Sequence, residues 1–310
     1  MMDRTDRHFR FLLRCVSSRV LLTTEMVTMH ALLRGDPRRH LVFHPSEHPL
    51  SLQLGGDDPQ GLAACARMAA EWLRRGGPER GLPQRAGAER QLRRLPDGEP
   101  ERVRDCVAAM RESGLPVTVK HRIGFDDHDD YAFMLRFVDT VAQAGPTRFA
   151  VHARKAWLKG LSPKENRNIP PLRYEEVHRL KRERPELEIV LNGGIRSIDQ
   201  GLEQLQHVDG VMIGRALYDE PMAFAELDRR AYGSGDEPIT RVELVGRMAE
   251  YASWEREQRG TELRHIARHM MGLFQGIPGA RAWRRHISQV CMKQGAAPQT
   301  LLDGLELLSL

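Results

Sequence analysis

Six short apolar segments end in residues able to hold a ligand: Glu25, Gln53, Lys120, His152 with Arg154, Asn192-Gly193-Gly194, and Gly214-Arg215. They amount to a polar set and not a metal set, since there is no carboxylate pair, no histidine cluster and no Cys-x-x-Cys. The two glycine-containing ends could let backbone N–H groups approach an anion closely. Lys120 and His152 could hold carbonyl oxygens and stabilise charge that develops on a ring. Taken singly, each has a plain reading. A Gly-Gly pair after a strand is a turn, His152 is a structural histidine, and Lys120 is solvated. Taken jointly they fit flavin mononucleotide, which has a phosphate at one end and a ring rich in hydrogen-bonding atoms at the other.

The segments that carry these residues are Leu21–Val27, Leu50–Leu54, Pro116–Lys120, Phe149–His152, Ile189–Asn192 and Val211–Gly214. Their apolar residues are largely β-branched, turn residues flank them, and helical patterns such as Glu101–Glu112 and Asp130–Ala144 lie between them. This alternation predicts β/α units around a parallel sheet, with functional residues at the carboxyl ends of the strands. Six strands are legible. An eight-stranded (β/α)8 TIM barrel needs two more, one before Met1 and one between Trp72 and Glu101. From about Pro238 the pattern becomes helical throughout. Leu263, Ile266, Ala267, Met270, Met271 and Phe274 form a core-facing stripe, and a later helix puts Trp283, His286, Ile287 and Val290 on one face with Arg281, Arg284, Arg285 and Gln289 on the other. The expected organisation is a barrel over 1–235 and an all-helical domain over 238–310, joined near Tyr232–Pro238.

The chain has 310 residues, 41% hydrophobic and 29% charged, the proportions of a globular protein. No apolar run is long enough to span a membrane, and no secretory signal is visible. Cys15, Cys65, Cys106 and Cys291 stand far apart, which sets a reduced, cytoplasmic expectation. The formal charge is +5, from 47 basic and 42 acidic residues, but the window 73–98 holds seven arginines and three acids. Outside it 40 basic residues face 39 acidic ones, so any nucleic-acid argument must rest on local clusters.

At Val117-Thr-Val-Lys-His-Arg-Ile-Gly124 and Val151-His-Ala-Arg-Lys-Ala-Trp-Leu-Lys-Gly-Leu-Ser-Pro-Lys-Glu-Asn-Arg167 the sequence closely resembles the bacterial tRNA-dihydrouridine synthases of the A type. Glu25-Met-Val-Thr28, Gln53-Leu-Gly-Gly56, Asn192-Gly-Gly-Ile195, Gly210-Val-Met-Ile-Gly-Arg215 and Gly272-Leu-Phe-Gln-Gly-Ile-Pro-Gly-Ala-Arg281 match in the same order. The resemblance implies an FMN-binding TIM barrel with a C-terminal helical domain, which uses NADPH to reduce D-loop uridines at positions 20 and 20a of tRNA. It assigns FMN binding to Gln53, Lys120, His152, Asn192, Gly193, Gly194, Gly214 and Arg215. Met1 and Met2 match the end of an Ala-Pro-Met motif whose first two residues are absent, so the first strand is expected to be truncated. Arg154, Lys155, Lys159, Lys164 and Arg167 form a basic loop suited to tRNA phosphates, and Arg281, Arg284 and Arg285 could grip another part of the tRNA. No metal is implied.

The main departure is the window 73–98. There the family has a strand ending in Asn-x-Gly-Cys-Pro, whose cysteine donates a proton to C5 of the uracil while hydride arrives at C6. None of the four cysteines replaces it by position. Codons for Trp72–Arg85, read one base later, can encode Gly-Tyr-Asp-Glu-Val-Asp-Leu-Asn-Val-Gly-Cys-Pro-Ser, a strand followed by the missing motif. A double frameshift, leaving frame near Trp72 and returning near Glu99, accounts for the arginines and the missing strand together. With Pro78, Pro83 and Pro96 and no β-branched or aromatic residue, the window is expected to form no strand, only an exposed loop or poorly defined segment, and to leave its neighbours unpaired or drawn together. The alternatives are an inactive tRNA-binding remnant and an FMN-dependent barrel acting on a small molecule. The basic loop and the helical domain speak against the second.

Overall fold

The structure is a computed structural model that describes residues 1–75, 85–89, 99–146 and 148–308, with 73–75 and 85–89 described by backbone alone. Seven parallel strands form one sheet: β1 (Leu22–Thr28), β2 (Leu50–Gly55), β3 (Arg85–Glu89), β4 (Val117–Arg122), β5 (Arg148–His152), β6 (Glu188–Asn192) and β7 (Gly210–Met212). Each strand pairs with its neighbour in sequence. Helices Pro59–Arg75, Pro100–Arg111, Tyr131–Ala142, Tyr174–Glu183 and Ile198–Gln204 make the successive returns from β2 to β7. This is the α/β order of the TIM-barrel type, and the six legible strands all fall where their sequences place them.

Period-two alternation decides which side chains face the helices. In β4, Val117, Val119 and His121 are buried while Thr118, Lys120 and Arg122 are half-buried. The buried set joins Leu52, Leu54, Phe149, Val151, Ile189 and Leu191 in one core, against Val107 and Met110, Phe137 and Val138, and Val177 and Leu180 of the helices. Side-chain caps fix where helices begin. Asp130 accepts from Phe133 N–H at 2.7 Å, and Ser197 accepts from Gln200 N–H at 3.2 Å.

The expectation of no strand in 73–98 is corrected by β3. Arg85–Glu89 is in parallel register with both neighbours, Gln53 opposite Gly87 and Gly87 opposite Thr118. The physical reason lies in the local sequence. The prolines at 78, 83 and 96 all fall outside Arg-Ala-Gly-Ala-Glu, so each of the five residues keeps the N–H that a central strand must donate. The fourth strand of the expected barrel therefore has an occupant, though not one with the family's sequence. The rest of the window, 76–84 and 90–98, lies outside the described residues.

Met1–Val20 and Gly214–Leu310 make one compact unit, and Leu21–Ile213 makes the other. The helical unit thus reaches back to Gly214, not only to the expected linker near Tyr232, and it includes the N-terminal helix Arg7–Val16. Buried Glu255 explains the inclusion. It accepts from Arg7 at 2.9 Å, Arg259 at 2.6 Å and Thr261 at 2.7 Å. Burial alone would raise its pKa, but the hydrogen bonds from Arg7 and Thr261 and the charge of Arg7 outweigh that and hold it at about 2. The apolar stripe from Leu263 to Phe274 is largely buried, yet the α-helix stops at Ala267 and continues as a 3₁₀ turn over Arg268–Met270. A Cβ on Gly272 would lie 2.3 Å from Asp219 O, so that close backbone approach requires glycine.

If β3 pairs on both sides, Gly87→Pro removes a ladder donor and should destabilise the chain by about 1–3 kcal/mol, measured by denaturant unfolding. An unchanged midpoint would show that the strand is not held there.

Candidate active site

Register lines up the strand ends. Arg122, His152, Asn192 and Met212 are successive partners across β4 to β7. Lys120 lies two residues before Arg122 on the same face of β4, and Gln53 is joined to Thr118 through Gly87. Because the strands are parallel, Gln53, Lys120, His152 and Asn192 all lie toward the same end of the sheet. Glu25 sits at the irregularity in β1 between Thr23 and Met26. Its Oε1 is buried without a hydrogen-bond partner among the described residues.

His152 is buried and is set by a glycine. A Cβ on Gly193 would lie 2.6 Å from His152 Cδ2 and 2.9 Å from Nε2, and Gly193 has φ +113°, so only glycine fits beside the imidazole. Gly194 follows at φ +78°, and a Cβ there would meet Leu172 at 2.5 Å and Tyr174 Oη at 2.7 Å. Tyr174 Oη donates to Gly193 O at 2.6 Å, and Asn192 Nδ2 donates to Met212 O at 2.7 Å. Among the described residues no acceptor is found for the N–H groups of Gly193, Gly194 or Ile195. N–H groups without partners among the described residues, beside a histidine, suit an anionic ligand.

Met1, Met2, Gly214 and Arg215 belong to the helical unit. Met1 Sδ lies 3.6 Å from where a Gly214 Cβ would stand, Met2 is 60% exposed, and Arg215 is exposed at the start of the helix Arg215–Asp219.

The basic loop after His152 divides into braces and exposed cations. Arg154 binds the carbonyls of Asn168 and Pro170. Lys155 pairs with Asp129 at 3.1 Å and donates to Asp126 O at 3.0 Å. These two side chains hold the loop, whereas Lys159, Lys164 and Arg167 are exposed. Arg122 donates to Lys155 O at 2.9 Å and Asn166 O at 3.1 Å. Sequence reasoning assigned no role to Arg122, Asp126, Asn166 or Tyr174. Their partners are backbone atoms, so residue type carries no signal of the bracing. In the helical unit Arg281, Arg284 and Arg285 are exposed.

Burial holds the pKa values of Cys15, Cys65 and Cys291 at about 11, so none carries thiolate near neutrality. Cys65 and Cys106 are buried in the core against helices, away from the strand-end row. Among the described residues no group of three acidic, His or Cys side chains could hold a metal, and no helix is long and apolar enough to cross a membrane.

A parallel α/β sheet with glycine N–H groups, an imidazole and an ammonium toward its carboxyl end has the layout of TIM-barrel-type enzymes, which carry their sites at that end. The dihydrouridine synthase (Dus) family matches residues 1–76 and 95–307, and the unmatched stretch falls inside the aberrant window. The tRNA-dihydrouridine(20/20a) synthase of Synechocystis sp. is 47% identical over 99% of this chain and 92% of its own length. The protein of the same name from Shewanella oneidensis is 48% identical over 96% and 88%, and that from Escherichia coli K12 is 47% identical over 100% and 90%. The chain belongs to the dihydrouridine synthase family, whose members are flavin-dependent oxidoreductases acting on tRNA.

His121, next to Lys120, points the other way, into the core. Its Nδ1 lies 2.8 Å from Arg122 O and so carries the proton, while Nε2 is buried with no partner among the described residues. Burial pushes its pKa down to about 4. The unfolded chain therefore binds the extra proton first, and stability present above pH 6.5 should fall as pH drops toward 4, by about 3 kcal/mol at most. His121→Phe should flatten that part of the stability–pH curve, as measured by denaturant unfolding between pH 4 and 7.

Proposed function

We propose that this chain is built to bind FMN and tRNA as a tRNA-dihydrouridine(20/20a) synthase, and that it lacks the proton donor of that reaction. The observation that carries the reading is the strand-end row. Asn192, Gly193 and Gly194 stand beside His152 on one side, and Lys120 shares the face, with each residue inside a motif of the family. The N–H groups of Gly193, Gly194 and Ile195 are suited to phosphate oxygens. Lys120 and Gln53 are suited to the carbonyl edge of the ring. The family motif alone adds Met1, Met2, Gly214 and Arg215 to this set. The flavin's contribution would be hydride transfer, drawn from NADPH and delivered to C6 of a uracil taken out of the tRNA elbow.

The chain's own residues bind and orient. His152 and Lys120 donate to carbonyl oxygens where negative charge builds up, and Lys159, Lys164 and Arg167 take phosphates. The cytoplasm, where tRNA is found, is the setting we assign. C5 still needs a proton, and no described residue stands ready to give it. General acid catalysis contributes roughly 10²–10⁴-fold, so the chain as written should form dihydrouridine slower than a functional relative by about that factor. Restoring the shifted frame from near Trp72 to near Glu99 should restore the rate, read by mass spectrometry of tRNA incubated with FMN and NADPH. Full activity in the unaltered chain would overturn the lost-donor reading. Failure of the chain to bind flavin would favour the inactive remnant.

The double variant Arg284→Ala, Arg285→Ala should weaken tRNA binding and lower the slope of log affinity against log salt by about one per lost phosphate contact. Flavin binding should not change. An unaltered slope would return both arginines to the solvated surface.

A further inference from the structure

The loop that follows His152 displays an aromatic side chain on an unusually well-tied stretch of backbone. Trp157 is 36% exposed, and Ile169 near the far end of the loop is 58% exposed. Asn166, itself buried, grips the backbone of Trp157 from both sides. Its Oδ1 accepts from Trp157 N–H at 2.7 Å, and its Nδ2 donates to Trp157 O at 2.8 Å and Leu161 O at 3.2 Å. A second clamp comes from the loop after β4. Asp126 N–H donates to Ala156 O at 2.8 Å, and Asp126 Oδ1 accepts from Leu158 N–H at 2.9 Å. Asp126 is held at φ +43°, an unusual conformation for a residue other than glycine, and one that persists where surrounding bonds over-determine it. On the ring itself, Lys155 Nζ stands 4.3 Å from the centroid and is anchored there by Asp129 and by Asp126 O.

A core side chain does not need this treatment, and an incidental surface tryptophan does not receive it. One ring face is taken by a cation, and the remaining exposed indole is presented with little freedom left to lose on binding. The same loop carries the exposed cations Lys159, Lys164 and Arg167. An aromatic plate in a loop that also carries phosphate-seeking cations suits unstacked nucleotides, because every base offers a π-face and every nucleotide a phosphate.

Resting on the tRNA reading above, we propose that Trp157 is a preformed stacking platform for an unpaired base of the RNA substrate. Asp126 and Asn166 act as positioning residues that hold it. The platform contributes affinity through the ring and not through charge, which separates it from the neighbouring cations.

The test is tRNA binding by the full chain at several salt concentrations, with Trp157→Leu and Trp157→Phe compared with the unaltered protein. Trp157→Leu keeps apolar bulk but removes the ring. It should weaken binding by roughly tenfold with an unchanged salt slope. Trp157→Phe keeps a smaller ring and should recover most of the loss, which a folding defect would not produce. Equal affinity of Trp157→Leu and the unaltered chain would overturn the proposal while leaving the tRNA reading intact. A lowered salt slope in Trp157→Leu would also overturn it, by showing that a phosphate contact had been lost. If Trp157→Leu changes only the oligomeric state, the surface is a protein contact and the proposal fails. If the unaltered chain does not bind tRNA at all, the functional reading fails and this proposal falls with it.

Discussion

The contact between Gly193 and the imidazole of His152 leaves no space for any side chain at that glycine. A strand end normally tolerates many residues. Here the turn after β6 must run at positive φ against a histidine from β5, and Tyr174 fixes the same peptide through its carbonyl. His152 therefore cannot swing toward the turn. Among the described residues the N–H groups of the glycine pair have no acceptor, and Asn192 is held by Met212 at the end of the same row. Preorganisation of this kind is what lets a polar site act on charge without first rearranging.

Much of this was legible in the sequence, for identifiable reasons. Six strands were found because their apolar runs are rich in β-branched residues and flanked by turn residues, and their carboxyl ends carried the candidate ligands. Gln53, Lys120, His152 and Asn192 fall toward one end of a parallel sheet as a direct result. The bracing of the loop after His152 was not legible. Arg154 and Lys155 read as phosphate-binding cations, yet Arg154 is engaged within its own loop and Lys155 by Asp129 and Asp126 of the loop after β4. Composition reports a charge but not whether a carbonyl or carboxylate has already claimed it. Asp126 and Asn166 were unreadable for a related reason, since their partners are backbone atoms of Ala156, Trp157 and Leu158 and leave no trace in residue type.

The window 73–98 carries the sharpest contrast. Its composition argued against any strand, and that argument fails for Arg85–Glu89, which contains no proline. Backbone donors, and not side-chain propensity, decide whether a central position can be filled, and Arg85–Glu89 has them all. Occupying a strand position is not the same as carrying its chemistry. The family match breaks over 77–94, and the four cysteines of the chain lie elsewhere. The strand position is filled by residues that bring no cysteine with them.

The central claim is that the strand-end row is a flavin site with a phosphate cradle. Its most direct test is equilibrium binding of FMN against riboflavin to the purified chain, followed by flavin absorbance. The account predicts that FMN binds and shifts the flavin spectrum, while riboflavin, which lacks the phosphate, binds weaker by about tenfold or more. Equal affinity for the two flavins would contradict the cradle, and no binding of either would contradict the site.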